Sequence, residues 1–151
     1  MSSDNNGVAR ITVCRPSIIA LHRALIFSRG SRQVDNGYHL YINEKEVGSS
    51  ENWFDTDVYT FDESCDQPTV YAIDAYDTGG TAASIMEAEH CGELIVSGNK
   101  WKCHQFGADD PPDSWKSVTF DDSEWPVAGD AGDNGVAPWG MRRYRSLVHR
   151  F

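Results

Sequence analysis

Short segments of β-branched and aromatic residues, each followed by a turn signal, recur along this chain at intervals of about ten residues. Residues 38–42 and 57–61 alternate between apolar and polar positions, and residues 69–76 consist almost entirely of strand-forming types. Asp-Asn-Gly at 35–37 and Asp-Thr-Gly-Gly at 77–80 are typical of turns. This pattern predicts an all-β chain folded as an antiparallel sandwich or barrel.

The remaining segments extend the same interpretation. Residues 24–27 and 82–89 are also expected to be strands, the second because short connections flank it. Residues 93–97 and 101–104 are expected to form a hairpin around Gly98 and Asn99. From Phe106 onwards Asp, Gly and Pro dominate, which predicts an irregular segment at about 106–140 that wraps the sandwich, with a helical turn near Asp121. Residues 1–151 are expected to form a single domain.

The charge of the chain excludes two classes of partner. The formal net charge is −10, and such a surface repels nucleic-acid phosphates and anionic membranes. No apolar run approaches the roughly 20 residues of a membrane span, so neither nucleic acid binding nor membrane insertion is expected. The first residues lack a basic segment followed by an apolar one and do not form a signal peptide. The chain is then either cytosolic or a mature segment that carries an added Met.

Four widely spaced cysteines favour an oxidising location. Cys14, Cys65, Cys91 and Cys103 contain no Cys-x-x-Cys pair, which argues against a zinc ribbon or a thioredoxin-like motif. Two disulfides would place the protein outside the cell or at its surface. The alternative is four buried free thiols.

Catalytic and metal-binding motifs are not found in the sequence. The nucleophile elbow, the zinc-protease helix, the phosphate-binding loop and the dinucleotide fingerprint are missing. An EF-hand loop starting at Asp130 fails, because Gly132 and Met141 stand where oxygen ligands are needed; a different oxygen-ligand site stays open. Adjacent carboxylates such as Glu87 and Glu89 arise freely in an acidic chain. The sequence therefore predicts a non-catalytic protein without a cofactor or metal centre.

Three segments resemble a known family. Residues 35–48 resemble the pattern D-x-x-Y-x-L-Y-x-N-G-x-x-V-G, residues 99–102 resemble S-x-W-K, and residues 115–125 resemble W-x-x-x-x-F-D-D-S-x-W. These patterns occur in the galactose-binding-domain-like jelly rolls that accompany many glycoside hydrolases and that also serve as carbohydrate-binding modules and lectins. The resemblance implies a jelly-roll sandwich that binds sugar. Glu44 replaces the usual Gly, so the turn there is expected to differ, and the cysteines are not part of the family pattern.

Physical roles can be assigned to the residues of the third segment. Asp121, Asp122 and Ser123 suit the capping of backbone amides where the chain turns. Phe120 and Trp125 are expected to pack in the core, as is Trp101 within its strand.

Strand parity predicts where a ligand binds. If the strands at 57–61, 69–76, 82–89 and 93–97 run up and down in turn, residues 52–56, 77–81 and 98–100 share one end, and residues 62–68, 90–92 and 105–113 share the other. An aromatic ring beside amides and carboxylates suits a sugar. The candidate site at the first end comprises Asn52, Trp53, Asp55, Tyr76, Asp77, Asn99 and Lys100. The alternative is that Trp53 only closes the end of the sandwich.

The same parity places Cys65 and Cys91 together, which predicts a bridge between them and leaves Cys14 with Cys103, one of three connectivities. The predicted function is a lectin or carbohydrate-binding module whose partner is a carbohydrate or glycoprotein. One alternative is a structural or protein–protein interaction domain of a surface assembly, since exposed edges also allow a homo-oligomer. Another is an accessory domain of a larger glycoside hydrolase.

Overall fold

The computed structural model describes the backbone of residues 5–13, 22–29, 36–51, 56–62, 64–77, 83–106 and 111–129, and the side chains of these residues except 5–13, 22–29, 36, 56, 77 and 83–85. Within these ranges the strands are β1 (Asn5–Val13), β2 (His22–Arg29), β3 (Asn36–Ile42), β4 (Lys45–Ser50), β5 (Thr56–Phe61), β6 (Thr69–Asp77), β7 (Ala83–His90), β8 (Glu93–Val96) and β9 (Lys102–Gln105). A short 3-10 helix covers Asp113–Lys116. No helix in the described part is long and apolar enough to cross a membrane.

The strands form two antiparallel sheets. One has the order β4-β3-β6-β1-β9 and the other the order β5-β2-β7-β8. All the named pairings are antiparallel, and one core cluster joins side chains from both sheets. The expected all-β antiparallel sandwich is confirmed.

The core lies between the sheets because alternate strand positions are apolar. In β3, Tyr38, Leu40 and Ile42 point inwards and are at most 2% exposed, as period-2 alternation requires. The opposite sheet contributes Phe61, Met86, Ala88 and Ile95. Full burial of a Leu, Ile, Phe or Met side chain stabilises the fold by about 1.5–3 kcal/mol.

Strand β6 is buried on both of its faces. Tyr71 and Ile73 face the other sheet, whereas Val70 and Ala72 face outwards and are covered by Trp115 and Trp125. Residues 111–129 therefore form a second apolar layer outside the five-stranded sheet; we call them the covering segment. The helical turn expected near Asp121 lies instead at Asp113–Lys116, where Trp115 packs into this layer.

The covering segment also protects the edge of the five-stranded sheet. The Cys103 amide donates to the Pro126 carbonyl at 2.9 Å, and the Ala128 amide donates to the Trp101 carbonyl at 2.8 Å. The Lys102 ammonium adds a bond of 3.0 Å to the Trp125 carbonyl. These bonds satisfy backbone groups that an open edge strand would expose.

The expected hairpin of residues 93–97 and 101–104 is wrong. Strand β8 lies in the four-stranded sheet and β9 in the five-stranded sheet. The chain crosses between the sheets at Trp101, which is 1% exposed and whose indole N–H donates to the Val96 carbonyl at 3.0 Å. Burial of this ring between the sheets, which confirms its expected core position, is incompatible with a flat hairpin.

The turn between β3 and β4 also differs from expectation. Asn43 and Glu44 both adopt positive φ, of 47° and 70°, and the flanking Ile42 and Lys45 are paired. Two positive φ values in a two-residue hairpin define the type I′ turn that Asn-Gly favours. The expectation that Glu44 imposes a different turn is therefore wrong, because Glu44 adopts the conformation of the missing glycine.

A disulfide joins Cys65 and Cys91, with Cα atoms 5.8 Å apart, and this confirms the predicted bridge. It connects the loop before β6 to the turn between β7 and β8, so it ties the two sheets together. We call this end of the sandwich the disulfide end and the opposite one the distal end. A disulfide indicates an oxidising, non-cytosolic compartment.

The second predicted bridge is wrong, because Cys103 is a free thiol. Cys103 pairs with Ala9 of β1, and the strand continues for four residues to Val13, which is roughly 13 Å further at the usual rise. A disulfide requires Cα atoms within about 7 Å. Cys14 follows Val13 and lies outside the described residues. Burial raises the pKa of the Cys103 thiol.

Candidate functional site

The distal end brings together the last residues of β6 and the start of β5. Tyr76 and Asp77 end β6, and Tyr38, which pairs with Ala75 of β6, donates a hydrogen bond to Asp57 near the start of β5. Strand β5 therefore starts at the same end of the sandwich as Tyr76. Asn52, Trp53 and Asp55 of the predicted site, and the side chain of Asp77, lie outside the described part.

Asn99 and Lys100 lie in the connection between β8 and β9, where the chain passes from one sheet to the other. The Ser97 amide bonds to the Met86 carbonyl, which is level with Asp57 through Ile26, whereas Lys102 is level with Ala72 through Arg10, so the place of Asn99 and Lys100 in the site stays a prediction. Ala72 is four residues, or roughly 13 Å, below Tyr76. Strand parity fails here because the chain does not reverse between β8 and β9.

The same failure relocates the end of β9. Gln105 is in register with Gly7, which pairs with Ala75, so residue 105 lies near the distal end. It was expected at the disulfide end with residues 62–68 and 90–92. The latter two segments do lie there, since the Cys65–Cys91 bridge joins them.

Tyr76 forms a platform on the outer face of the five-stranded sheet. Gly37 lies opposite Tyr76 in the register, and a Cβ atom on Gly37 would overlap the Tyr76 ring. The ring therefore lies across the Gly37 backbone, and its hydroxyl donates to Glu51 at 3.3 Å. A half-buried aromatic ring at this position offers an apolar surface of the kind that stacks on a sugar.

A tyrosine network supports the distal end from below. The Tyr38 hydroxyl donates to Asp57 at 2.7 Å and lies 3.1 Å from the Tyr59 hydroxyl, which donates to the Ser49 carbonyl at 3.3 Å. Burial, reinforced by the hydrogen bonds with Tyr59 and Asp57, raises the pKa of Tyr38. The Tyr59 ring also lies directly over Gly48. These contacts fix the start of β5 to strands β3 and β4 of the other sheet.

A polar and aromatic group lies below Tyr76 on the same outer face. His39 and Glu46 are joined by Nδ1 and Oε1 at 3.0 Å, the rings of His39 and Tyr41 stack with centroids 6.3 Å apart, and the Lys116 ammonium lies 4.3 Å from the centre of the Tyr41 ring. We call these four residues the face cluster. Sequence reasoning missed it, although alternation in β3 places His39 and Tyr41 opposite the core positions.

The surroundings of the Tyr41 phenol raise its pKa. Burial raises this pKa, and the charges of Glu46 and Asp74 raise it further. Glu46 is in register with Tyr41 and Asp74 with His39, and a nearby negative charge disfavours the ionised form of a phenol. The outer face thus combines a phenol, carboxylates, an imidazole and an ammonium group within one part of the sheet.

The other aromatic group of this face has a structural role. Trp125 is 8% exposed and contacts the rings of His104, Phe106, Trp115 and Phe120 at centroid separations between 5.3 and 6.4 Å. Asp121 accepts the Ser123 amide at 3.0 Å, and this bond lowers the pKa of the Asp121 carboxyl. The expected core position of Trp125 is confirmed, Asp121 acts as the expected cap, and the partly buried Phe120 packs against the cluster.

The fold is an antiparallel sandwich, and comparison with solved structures confirms its resemblance to galactose-binding-domain-like sugar-binding domains. The chain is similar to the α-L-rhamnosidase of Streptomyces avermitilis, solved with L-rhamnose, at 25% identity and a TM-score of 0.75; the match covers 91% of this chain and 14% of that one. It is similar to the Pleurotus ostreatus lectin, solved alone and in complex with GalNAc, at 27% identity and a TM-score of 0.74, over 90% of this chain and 39% of that one.

A family GH78 rhamnosidase of Bacillus sp. GL1 shares the fold with a TM-score of 0.74 at 18% identity, over 93% of this chain and 18% of that one. The chain therefore spans between 14% and 39% of the length of these matched chains. No family model and no curated protein matches the sequence.

Proposed function

We propose that this protein is a non-catalytic carbohydrate-binding domain that binds a sugar at the distal end, with Tyr76 as the stacking platform. The observation that carries the proposal is the Tyr76 ring, which lies across the Gly37 backbone at the end of a sandwich whose fold is shared with a lectin solved with GalNAc. The sugar's C–H groups stack on the ring, and its hydroxyls bond to neighbouring polar groups.

The neighbouring polar groups in this proposal are Glu51, which the Tyr76 hydroxyl already contacts, and Asp77. Asn52, Trp53 and Asp55 complete the proposed site from the loop before β5. Binding proceeds without covalent chemistry, and the disulfide supports a location outside the cell or at its surface.

The proposal predicts that the Tyr76→Ala variant loses sugar affinity and keeps its fold. Loss of one stacking ring costs on the order of 1 kcal/mol, or about fivefold in Kd. Calorimetric titration with GalNAc and with L-rhamnose measures the change, and a thermal melt checks the fold.

Gly37→Ala is the matched second variant, because the new methyl group displaces the Tyr76 ring without altering the ring itself. We expect it to weaken sugar binding as well, whereas Glu89→Gln, on the outer face of the other sheet, leaves binding unchanged. Equal affinity of Tyr76→Ala and wild type would remove Tyr76 from the site. If the wild type binds no sugar on a glycan array, a protein–protein interaction domain is favoured instead.

A role as an accessory domain of a larger glycoside hydrolase is the second candidate. The match to 14% of the Streptomyces avermitilis rhamnosidase, at 25% identity, favours it. The full reading frame of the gene distinguishes the two candidates, since a catalytic domain in the same chain identifies an accessory module.

A further inference from the structure

The outer face of the five-stranded sheet carries a continuous row of polar and aromatic side chains between the distal end and the 3-10 helix. Tyr76 is in register with Gly37, Asp74 with His39, and Ala72 with Tyr41. Opposed residues of an antiparallel pair point to the same face. The face cluster and Asp74 therefore lie directly below the Tyr76 platform.

The row of side chains is long enough to contact more than one sugar unit. From Tyr76 to Ala72 the strand rises roughly 13 Å. Trp115 covers Val70 and Ala72 and closes the row at its lower limit, where Lys116 lies over Tyr41. The side chains of His39 and Glu46 are 41% and 45% exposed, so a ligand lying along the sheet can reach them.

The chemistry of the row fits a neutral polyhydroxylated ligand. The Glu46 and Asp74 carboxylates accept hydrogen bonds, the Lys116 ammonium donates them, and a carboxylate has capacity for more than the one bond that Glu46 makes to His39. Together with a net charge of −10, two carboxylates beside one ammonium disfavour sulfated or sialylated chains.

The outer face of the four-stranded sheet does not offer this combination. Its described side chains include the exposed Val58, Leu94 and Val96 and the carboxylates of Glu87 and Glu89. Among the described residues of that face no aromatic ring accompanies them, and nothing there indicates what would cover the aliphatic groups.

We propose that the face cluster and Asp74 form a second subsite that continues the Tyr76 site along the sheet, so that the ligand is a neutral oligosaccharide rather than a single sugar. This inference rests on the proposed function. The sugar at the reducing or non-reducing end of the glycan stacks on the Tyr76 ring, and the following units lie over Asp74, His39 and Glu46.

The test compares ligands of increasing length. GalNAc and L-rhamnose are titrated first, followed by neutral oligosaccharides of two to four units that carry whichever monosaccharide binds. We expect affinity to rise by about fivefold or more with length, the effect of one or two added hydrogen bonds. In the double variant His39→Ala/Glu46→Gln the gain with length disappears while the monosaccharide Kd stays at the wild-type value.

Lys116→Ala gives an independent variant at the lower end of the row, and we expect it to reduce affinity only for the longer ligands. Glu89→Gln is the control on the other sheet, and melting temperatures verify that each variant is folded. A wild-type affinity that is independent of length, a gain that survives in the variants, or tighter binding of a sulfated oligosaccharide overturns the second subsite while monosaccharide binding stands. Failure of every monosaccharide and oligosaccharide to bind overturns the proposed function itself.

Discussion

Some residues occupy turn positions that favour another residue type, and Glu44 is the clearest case. It occupies the second central position of a type I′ hairpin with a φ of 70°, where its Cβ atom crowds the backbone. The left-handed conformation costs a non-glycine residue about 1–2 kcal/mol. Asn43 tolerates this region better and also accepts the Val70 amide at 2.9 Å, so it secures the turn that Glu44 strains.

Replacement of Glu44 by glycine is therefore expected to stabilise the protein. Relief of the strain outweighs the extra freedom of glycine in the unfolded chain, which leaves a net gain of about 1 kcal/mol. The free energy of unfolding in urea measures it. Glu44→Ala is the control, because alanine keeps the Cβ atom; an equal gain in both variants would point to the lost charge instead of the backbone.

The raised pKa of Tyr38 predicts that the protein loses stability in alkaline solution. Its pKa is raised by burial and by its hydrogen bonds with Tyr59 and Asp57, above the usual value of about 10. Below pH 10 both states keep the proton and the stability is complete. Above it the unfolded chain releases a proton that the folded chain retains, so the free energy of unfolding falls.

Urea unfolding at pH 8 and at pH 10.5 measures this loss, and Tyr38→Phe should show a smaller loss than the wild type. Burial also raises the pKa of Tyr41 and Tyr59, so the variant keeps part of the dependence. If Tyr38→Phe and the wild type lose the same free energy of unfolding between pH 8 and pH 10.5, Tyr38 is not the source of the loss.

At the scale of strands, local pattern predicts most of the sandwich and fails where a pattern has two interpretations. Alternation at residues 38–42 and 57–61 identified β3 and β5. The interior strand β1 does not stand out in the sequence because its first residues are polar, and its partners in β6 and β9 are far away in sequence. The segment from Glu93 to His104 has hairpin spacing, but the burial of Trp101 between the sheets divides it.

The covering segment yields a prediction at this scale. Trp125 fills the outer layer with Trp115, over Val70 and Ala72. Removal of a buried tryptophan creates a cavity that costs about 3–5 kcal/mol. Trp125→Ala should therefore lower the melting temperature strongly while the variant, where folded, binds sugar with wild-type affinity. Weakened binding without a change in stability would place Trp125 in the site instead of the core.

At the scale of the whole molecule, the candidate site could be predicted only in part. Strand order along the chain was enough to place Tyr76 and the start of β5 at one end and Cys65 and Cys91 at the other. It misplaced Gln105, because a crossover between sheets changes the direction that simple alternation assumes. The face cluster depends on β4 and the covering segment meeting across β3, and such contacts between distant segments leave no local signal.

The disulfide is expected to hold the two sheets together at the end opposite the proposed site. In the chain-entropy account, a bridge between residues 26 apart stabilises the folded state by about 3.5 kcal/mol. Cys65→Ala/Cys91→Ala should lose stability of that order in urea unfolding, whereas Cys103→Ala, which removes a free thiol, should change it far less. Alkylation of the unfolded protein without reductant should label Cys103 and leave the Cys65 and Cys91 peptides joined. Labelling of Cys65 or Cys91 would show that the bridge between them does not form. Failure of Cys103 to become alkylated would show that it takes part in a second bridge.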